Sequence, residues 1–426
     1  MKTAYINGIL LDGTEHMQPQ TGKIVVTEGE TITAILDKGA DLSGCKAVDL
    51  QGGYLLPGLV DMHIHLPASG KPTKKPKDAR KTVKLVTANK LTRKVIEIMY
   101  KGFGRTELYS GVTTMRAVGG IENYDTWLRD EILAGRTDGP RILAANMAIS
   151  VPGGHMAGSL AVEASTPAQA ADYARKIAGE GTDLIKLMIT GGVLDATKKG
   201  EPGVLRMQPA LVKAACDAAH EKGLPVAAHV ESPEGVRVAL ENGVDTIEHG
   251  AQPDDYILEL FRKRNAVFVA TLSPALPFAL FDRSVSCCSE LAQYNGKVVF
   301  DGTIACAKAC LAAGIPVGLG TDTGCPFITH YDTWREMYWF HKFCGVSNQF
   351  ALYSGTLHNA QLLGLSDVTG SIEPGKCADF IVTKRNPLDD LQALRHLEMV
   401  VARGRQYDQP KVKKMPQVER ELDKFL

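Results

Sequence analysis

Leu55-Leu56-Pro57-Gly58-Leu59-Val60-Asp61-Met62-His63-Ile64-His65-Leu66 decides the fold. Apolar residues run into it and a Pro-Gly pair interrupts it, the pattern of a buried strand reached through a tight turn. Side chains alternate along a strand, so Asp61, His63 and His65 share one face. Two imidazoles two residues apart on a rigid strand can meet one metal ion. An isolated His-x-His is more often an ordinary pair near a strand end. The rest of the chain reverses that weighting.

Downstream, short apolar runs recur at Thr113–Val118, Ile142–Ile149, Leu184–Ile189, Pro225–Val230, Thr246–Gly250, Val267–Leu272 and Pro316–Thr321. Helical patterns lie between them, such as Leu91–Phe103, Pro167–Ala178, Pro209–Glu221 and Thr303–Ala313, with Gly104, Gly179, Gly223 and Gly314 as expected C-caps. Eight strand-helix units predict an α/β fold, a (β/α)8 TIM barrel over 57–367, with chemistry at the C-terminal strand ends. Residues 1–56 and 368–408 have the texture of short strands and turns, which predicts a small β-sandwich domain built from both chain termini. The polar tail 409–426 is expected to wind over the surface or fray.

Composition narrows the class. Lys+Arg and Asp+Glu both number 48, which argues against a basic field for nucleic acid or membrane surfaces. No apolar run is long enough to span a bilayer, and Met1–Gly8 lacks the apolar core of a signal peptide. Nine cysteines without framework spacing fit reduced thiols and a cytoplasmic location. Cys287-Cys288 and Cys306/Cys310 lack a Cys-x-x-Cys partner, so a cysteine metal site is not expected. Between Lys71 and Lys94 lie ten Lys/Arg and one Asp, read as a solvated loop and helix face or as a collar drawing anions to the barrel mouth.

Polar residues recur where a barrel core prefers apolar ones. Strand 1 carries His63 and His65, and strand 4 carries Lys186 inside an apolar run. A buried ammonium must be paired, neutralised or modified. Strands 5, 6 and 8 end in His229, Glu248-His249-Gly250 and Thr321-Asp322-Thr323. Alone, each histidine reads as a satisfied core residue and Asp322 as a helix cap. Six such residues at the same end of five strands describe a site.

This set resembles the metal-dependent amidohydrolase superfamily over nearly the whole chain, and most closely its imidazolonepropionase-like and prolidase-like branch. The resemblance implies that His63 and His65 hold the more buried of two divalent ions, expected to be zinc. It implies a CO2-derived carbamate on Lys186 bridging both ions, and His229 and His249 on the second. Asp322 would bind the first ion and take a proton from a bridging water. Two ions ~3.5–4 Å apart lower the pKa of a shared water, so attack on the carbonyl of an N-acyl amino acid, dipeptide or cyclic amide is the implied reaction. His155, in Val151-Pro152-Gly153-Gly154-His155, resembles a substrate-contacting histidine of the prolidase-like branch, with an ordinary loop histidine as the other reading. Glu231 stands where relatives often carry a tyrosine for the substrate carboxylate, which a glutamate would repel, so it reads as a contact for an amine or cationic group or as a solvated loop acid. Gly191-Gly192 is expected to let backbone approach the site.

Other readings are a mononuclear deaminase on the same fold and a catalytically silent scaffold. The first usually lacks the strand-4 lysine, and the second would have lost ligands. The aromatic group Tyr331, Trp334, Tyr338, Trp339 and Phe340 is read as core or an oligomer contact, with a pocket wall as the alternative. A homo-oligomer acting on a small-molecule amide, without nucleic acid or membrane, is the expectation for partners.

Overall fold

A computed structural model describes residues 2–73 and 78–426. Barrel strand 1 is Leu59–Ile64, buried at every position. Strand 2 is Val112–Ala117, and strand 3 comes in two pieces, Arg141–Ala144 and Ala148–Ser150. Strands 4 to 8 are Ile185–Met188, Val226–Val230, Thr246–His249, Val267–Ala270 and Val317–Leu319. Neighbours pair in parallel in chain order. The sheet closes where Asp322 N donates to His63 O at 2.7 Å and Ile64 bridges Thr323. Gly320 permits that approach, since a Cβ there would lie 2.4 Å from His63 Cβ.

Strand 3 is not continuous over Ile142–Ile149, contrary to what the apolar run suggests. It breaks because Asn146 sits at φ +56°, which Asn tolerates better than most residues. Its side chain is held there, accepting from Thr126 N and donating to Glu180. The first piece of strand 3 pairs with strand 2 and the second with strand 4.

Two helices differ from the sequence pattern. Gly104 does not end its helix, which runs Lys90–Tyr109. Gly104 is buried in mid-helix, where a Cβ would press to 3.2 Å from Leu128 Cδ2. The helix after strand 7 is Glu290–Ala312, far longer than Thr303–Ala313, and follows a helix over Leu272–Leu280. Asn295 and Gly296 lie buried along it, so packing, and not apolar periodicity, holds its first half. Pro167–Ala178 is helical as read, and Pro209–His220 nearly so.

Both ends of the chain build two further sheets. One orders Thr31–Asp37, Lys23–Glu28, Lys2–Ile6 and Cys45–Asp49. The other joins Arg405–Asp408, Leu397–Ala402 and Phe380–Thr383 to Tyr54–Pro57, Ile9–Leu10 and Gln20–Thr21. Tyr5, Val25 and Ile32 from the first meet Leu55, Phe380 and Val401 from the second in one apolar cluster.

The tail departs from expectation. Pro416–Leu422 forms a helix whose Val418 and Leu422 are buried. Arg335 pairs with Asp423 at 2.6 Å, and Arg395 with Glu419 at 2.6 Å. Polar composition concealed an i,i+4 apolar pair and two acids matched to buried Arg335 and half-buried Arg395. Trp334, Trp339 and Phe340 are core, with Tyr331 buried and Tyr338 half-buried at its margin.

The basic segment lies partly outside the described residues, at 74–77. Its described helix, Ala79–Val86, buries none of its residues, and Arg80 pairs with Glu163 at 3.4 Å. Among the described residues no helix is long and apolar enough to cross a membrane. All nine cysteines are unpaired.

Candidate metal centre

Parallel strands deliver their C-terminal ends to one mouth. Strand registers set Met188 beside His229 and Val230 beside His249. The result is a cavity of about 240 Å³ lined by all six residues predicted as ligands: His63, His65, Lys186, His229, His249 and Asp322. His155 and Glu231 line it too.

His63, His249 and Asp322 form the tightest group, with ligand atoms within 4.8 Å of one another. Asp322 Oδ1 lies 3.2 Å from His65 Nε2 and 3.4 Å from His63 Nε2. Asp322 holds φ +55° and His249 φ +68°, so the backbone is bent to present both side chains. The ring centroids of His63 and His249 are 4.9 Å apart, and those of His229 and His249 are 4.6 Å apart.

Three of the four imidazoles are aimed by a partner on Nδ1, whereas His229 Nε2 meets Gly191 O at 3.3 Å. His63 Nδ1 meets Glu248 Oε2 at 2.7 Å, His65 Nδ1 meets Gly119 O at 2.8 Å, and His249 Nδ1 meets Thr271 Oγ1 at 2.7 Å. Such contacts fix the tautomer and turn the free nitrogen inward. Burial holds His229 and His249 well below the usual imidazole pKa, in the neutral form that ligates a metal. Burial would raise the Asp322 carboxyl, but His63 and His65 outweigh it and hold it well below its ordinary value.

Lys186 is 1% exposed, and its Nζ has no hydrogen-bond partner among the described residues. Burial lowers it from 10.5 to about 8, against the pull of Glu248 and Asp322. His63 Nε2 is likewise buried without a hydrogen bond. Orphaned nitrogens among imidazoles and a carboxylate are what a divalent cation would satisfy, so the donor set fits such an ion.

His155 stacks on His229 with centroids 4.1 Å apart and planes 7° apart. Its Nδ1 meets Asp195 Oδ2 at 2.5 Å, and the same oxygen accepts from Gly192 N at 2.9 Å. A Cβ on Gly192 would lie 3.2 Å from the His155 ring, which bears out the close backbone approach expected of Gly191-Gly192. Glu231 Oε2 is sealed from solvent and meets no donor among the described residues. Burial, then Asp322 and Asp195, push its carboxyl up to about 8.

Sequence reasoning missed three supporting residues. Glu248 is fully buried and takes Arg116 at 2.7 Å and Thr246 Oγ1 at 2.6 Å besides His63. Burial alone would raise it, but Arg116, Lys186 and His63 hold it well below the carboxylate range. Arg116 also donates to Met62 O at 2.6 Å. The signal was a lone arginine in the apolar run Val112–Ala117, the cationic counterpart of Lys186. Asp195, in a loop, gave no such signal. Asp61 shares the strand-1 face as read, yet its carboxylate turns to Thr321, accepting from Oγ1 at 2.8 Å and N at 3.1 Å.

An eight-stranded parallel barrel with a histidine, lysine and aspartate cage at its mouth defines a class, and comparison agrees: the chain belongs to the Amidohydrolase family, matched over residues 54–407. Within it the chain falls in the imidazolonepropionase-like and prolidase-like branch, and it is a hydrolase acting on carbon–nitrogen bonds. It is similar to a crystal structure from Bifidobacterium longum provisionally named a prolidase, with 32% identity, TM-score 0.87, and 99% and 98% of the two chains covered. It is similar to a Xaa-Pro dipeptidase crystallised with methionine in its active site, with 28% identity, TM-score 0.82, and 96% and 100% covered. A curated relative is ochratoxinase of Aspergillus niger, 23% identical over 373 residues, covering 81% of this chain and 73% of the relative.

Proposed function

We propose that this chain is a binuclear metal-dependent hydrolase of amide bonds in N-acyl amino acids, dipeptides or cyclic amides. His63, His65 and Asp322 would hold one ion, His229 and His249 a second, and a carboxylated Lys186 both. Zinc suits the donor set. When bound, the ions supply Lewis-acid activation of water and of the scissile carbonyl.

One observation carries this reading: an unpartnered, fully buried Lys186 amine amid four imidazoles and a carboxylate. A neutral amine adds to CO2, forming an N–C bond and releasing a proton. The product is an anion where a cation was costly. In a mononuclear deaminase reading Lys186 stays an unpaired buried amine, and in a silent scaffold the filled cage has no use.

The chain's residues divide the work. Asp322, beside His63 and His65, is placed to accept a proton from water and return it to the leaving amine. Glu248 and Thr271 keep His63 and His249 aimed inward. Pro274, Ala275, Phe278 and Val193 give the cavity apolar walls that exclude water from the bond being cut. The substrates of the prolidase-named and dipeptidase relatives support this choice of bond.

We further propose that 1–56 and 368–408 form a separate β-sandwich domain and that the enzyme is cytoplasmic. A homo-oligomer is proposed as well, with Leu91, Val95 and Ile98 forming an exposed stripe on one helix that suits a second copy. Sedimentation of the wild type against Val95→Asp tests that contact.

Elemental analysis of protein purified without chelator should find about two divalent ions per chain. Lys186→Ala should lose metal and activity together, and a small added carboxylic acid should restore part of both. A metal-free wild type with full amidase activity would overturn the reading.

A further inference from the structure

Beside the metal cavity lies a second cavity of about 560 Å³. The loop over 200–205, the segment over 231–234, the turn over 250–252 and the helix stretch over 298–302 form its walls. Glu231 and Val299 line both cavities, so the two meet there. The junction is closely built, because a Cβ on Gly203 would lie 2.3 Å from the Glu231 backbone.

The titratable groups of this groove are all acids. Its titratable lining residues are Glu201, Glu231, Glu234 and Asp301, and among the described residues no Lys, Arg or His lines it. Asp301 has Lys297 at 2.8 Å and Glu201 has Lys198 at 3.6 Å, both in exposed pairs. Glu231 and Glu234 have no cationic partner among the described residues. An acidic oxygen sealed at a junction without a donor leaves hydrogen-bonding capacity for an arriving group. Among the described residues, buried Lys186 is the one Lys or Arg lining the inner cavity, so neither cavity offers an exposed Lys or Arg to hold a substrate carboxylate.

We propose that the substrate reaches from the metal cage past Glu231 into this acidic groove, and that its far end carries an ammonium or guanidinium group. This rests on the amide-hydrolase reading and adds to it a substrate class: extended, cationic amides. Glu231 receives the donor at the junction, Val299 sets the width of the passage, and Glu234 adds attraction at the outer end.

The test uses the zinc-loaded full chain and pairs of amides differing only in a terminal ammonium against a methyl, as in lysyl against norleucyl. One series carries the charge on the acyl side and another on the amine side. One series should prefer the ammonium member by about tenfold or more in kcat/KM, and that ratio should fall toward one in Glu231→Gln and partly in Glu234→Gln. Val299→Phe should slow the long ammonium substrates more than short ones. A binding arm needs no turnover: lysinamide should raise the melting temperature of metal-free protein in a salt-sensitive way, norleucinamide should not, and Glu231→Gln should abolish the difference. Equal rates within both series with no lysinamide effect would overturn the groove assignment while leaving amide hydrolysis standing. Failure on every amide, with lysinamide binding intact, would overturn the amide reading and spare the groove.

Discussion

Glu248→Gln tests how the cage is held. Glu248 is buried, takes Arg116 at 2.7 Å and Thr246 at 2.6 Å on one oxygen, and aims His63 with the other at 2.7 Å. Removing its charge while keeping its shape leaves the buried Arg116 guanidinium with only neutral acceptors, Met62 O and Thr246 Oγ1. Breaking one partner of a buried pair costs about 3–5 kcal/mol, because the other charge stays desolvated. Loss of an orienting partner behind a histidine ligand should weaken metal binding by about 10–100-fold. Urea unfolding of metal-free protein and metal titration read the two effects separately. Arg116→Met should cost a similar amount, and the double variant should cost less than the sum, since no lone charge remains. The pH dependence follows in sign. Glu248 is depressed in the folded state, so its contribution is full above the unfolded carboxyl value of about 4.3 and is lost as pH falls through the much lower folded value. The gap between wild type and Glu248→Gln should therefore stay flat from about pH 5 to 8 and shrink in acid. A stability change under about 0.5 kcal/mol with unchanged metal affinity would refute the reasoning.

Three further outcomes are expected. Lys186→Met should stabilise metal-free, CO2-free protein by up to about 3 kcal/mol at neutral pH. Wild-type stability should rise between about 8 and 10.5, where the unfolded chain holds a proton that the folded one lacks, and a pH series of melts shows whether that slope vanishes in the variant. Gly320→Ala should push strand 8 off His63, and loss of metal binding with a largely kept far-ultraviolet circular dichroism signal would show it. Val418→Asp should cost several kcal/mol by burying a charge, which chemical denaturation measures, whereas a merely draped tail would tolerate it.

Strands were legible because each is a short apolar run closed by a turn, and parallel pairing adds nothing that the sequence must encode separately. The six cage residues were legible because polar side chains at apolar strand ends stand out. Gly104 misled because the same residue serves as a cap and as a helix-packing notch, and only Leu128 across the interface distinguishes them. Glu248 was passed over beside His249 because it points the other way, toward Arg116 on a strand far off in sequence. Asp195 lies in a loop and matters through one contact to His155, a pairing with no period to read.

The seam between Tyr54–Pro57 and Phe380–Thr383 has a consequence for biosynthesis. Tyr54–Pro57 cannot meet Phe380–Thr383 until the whole intervening barrel has been made. Until then its unpaired edge is open to other nascent chains. Closing this seam must therefore follow synthesis of the barrel, and a chaperone that shields Tyr54–Pro57 during translation should raise the yield of native enzyme.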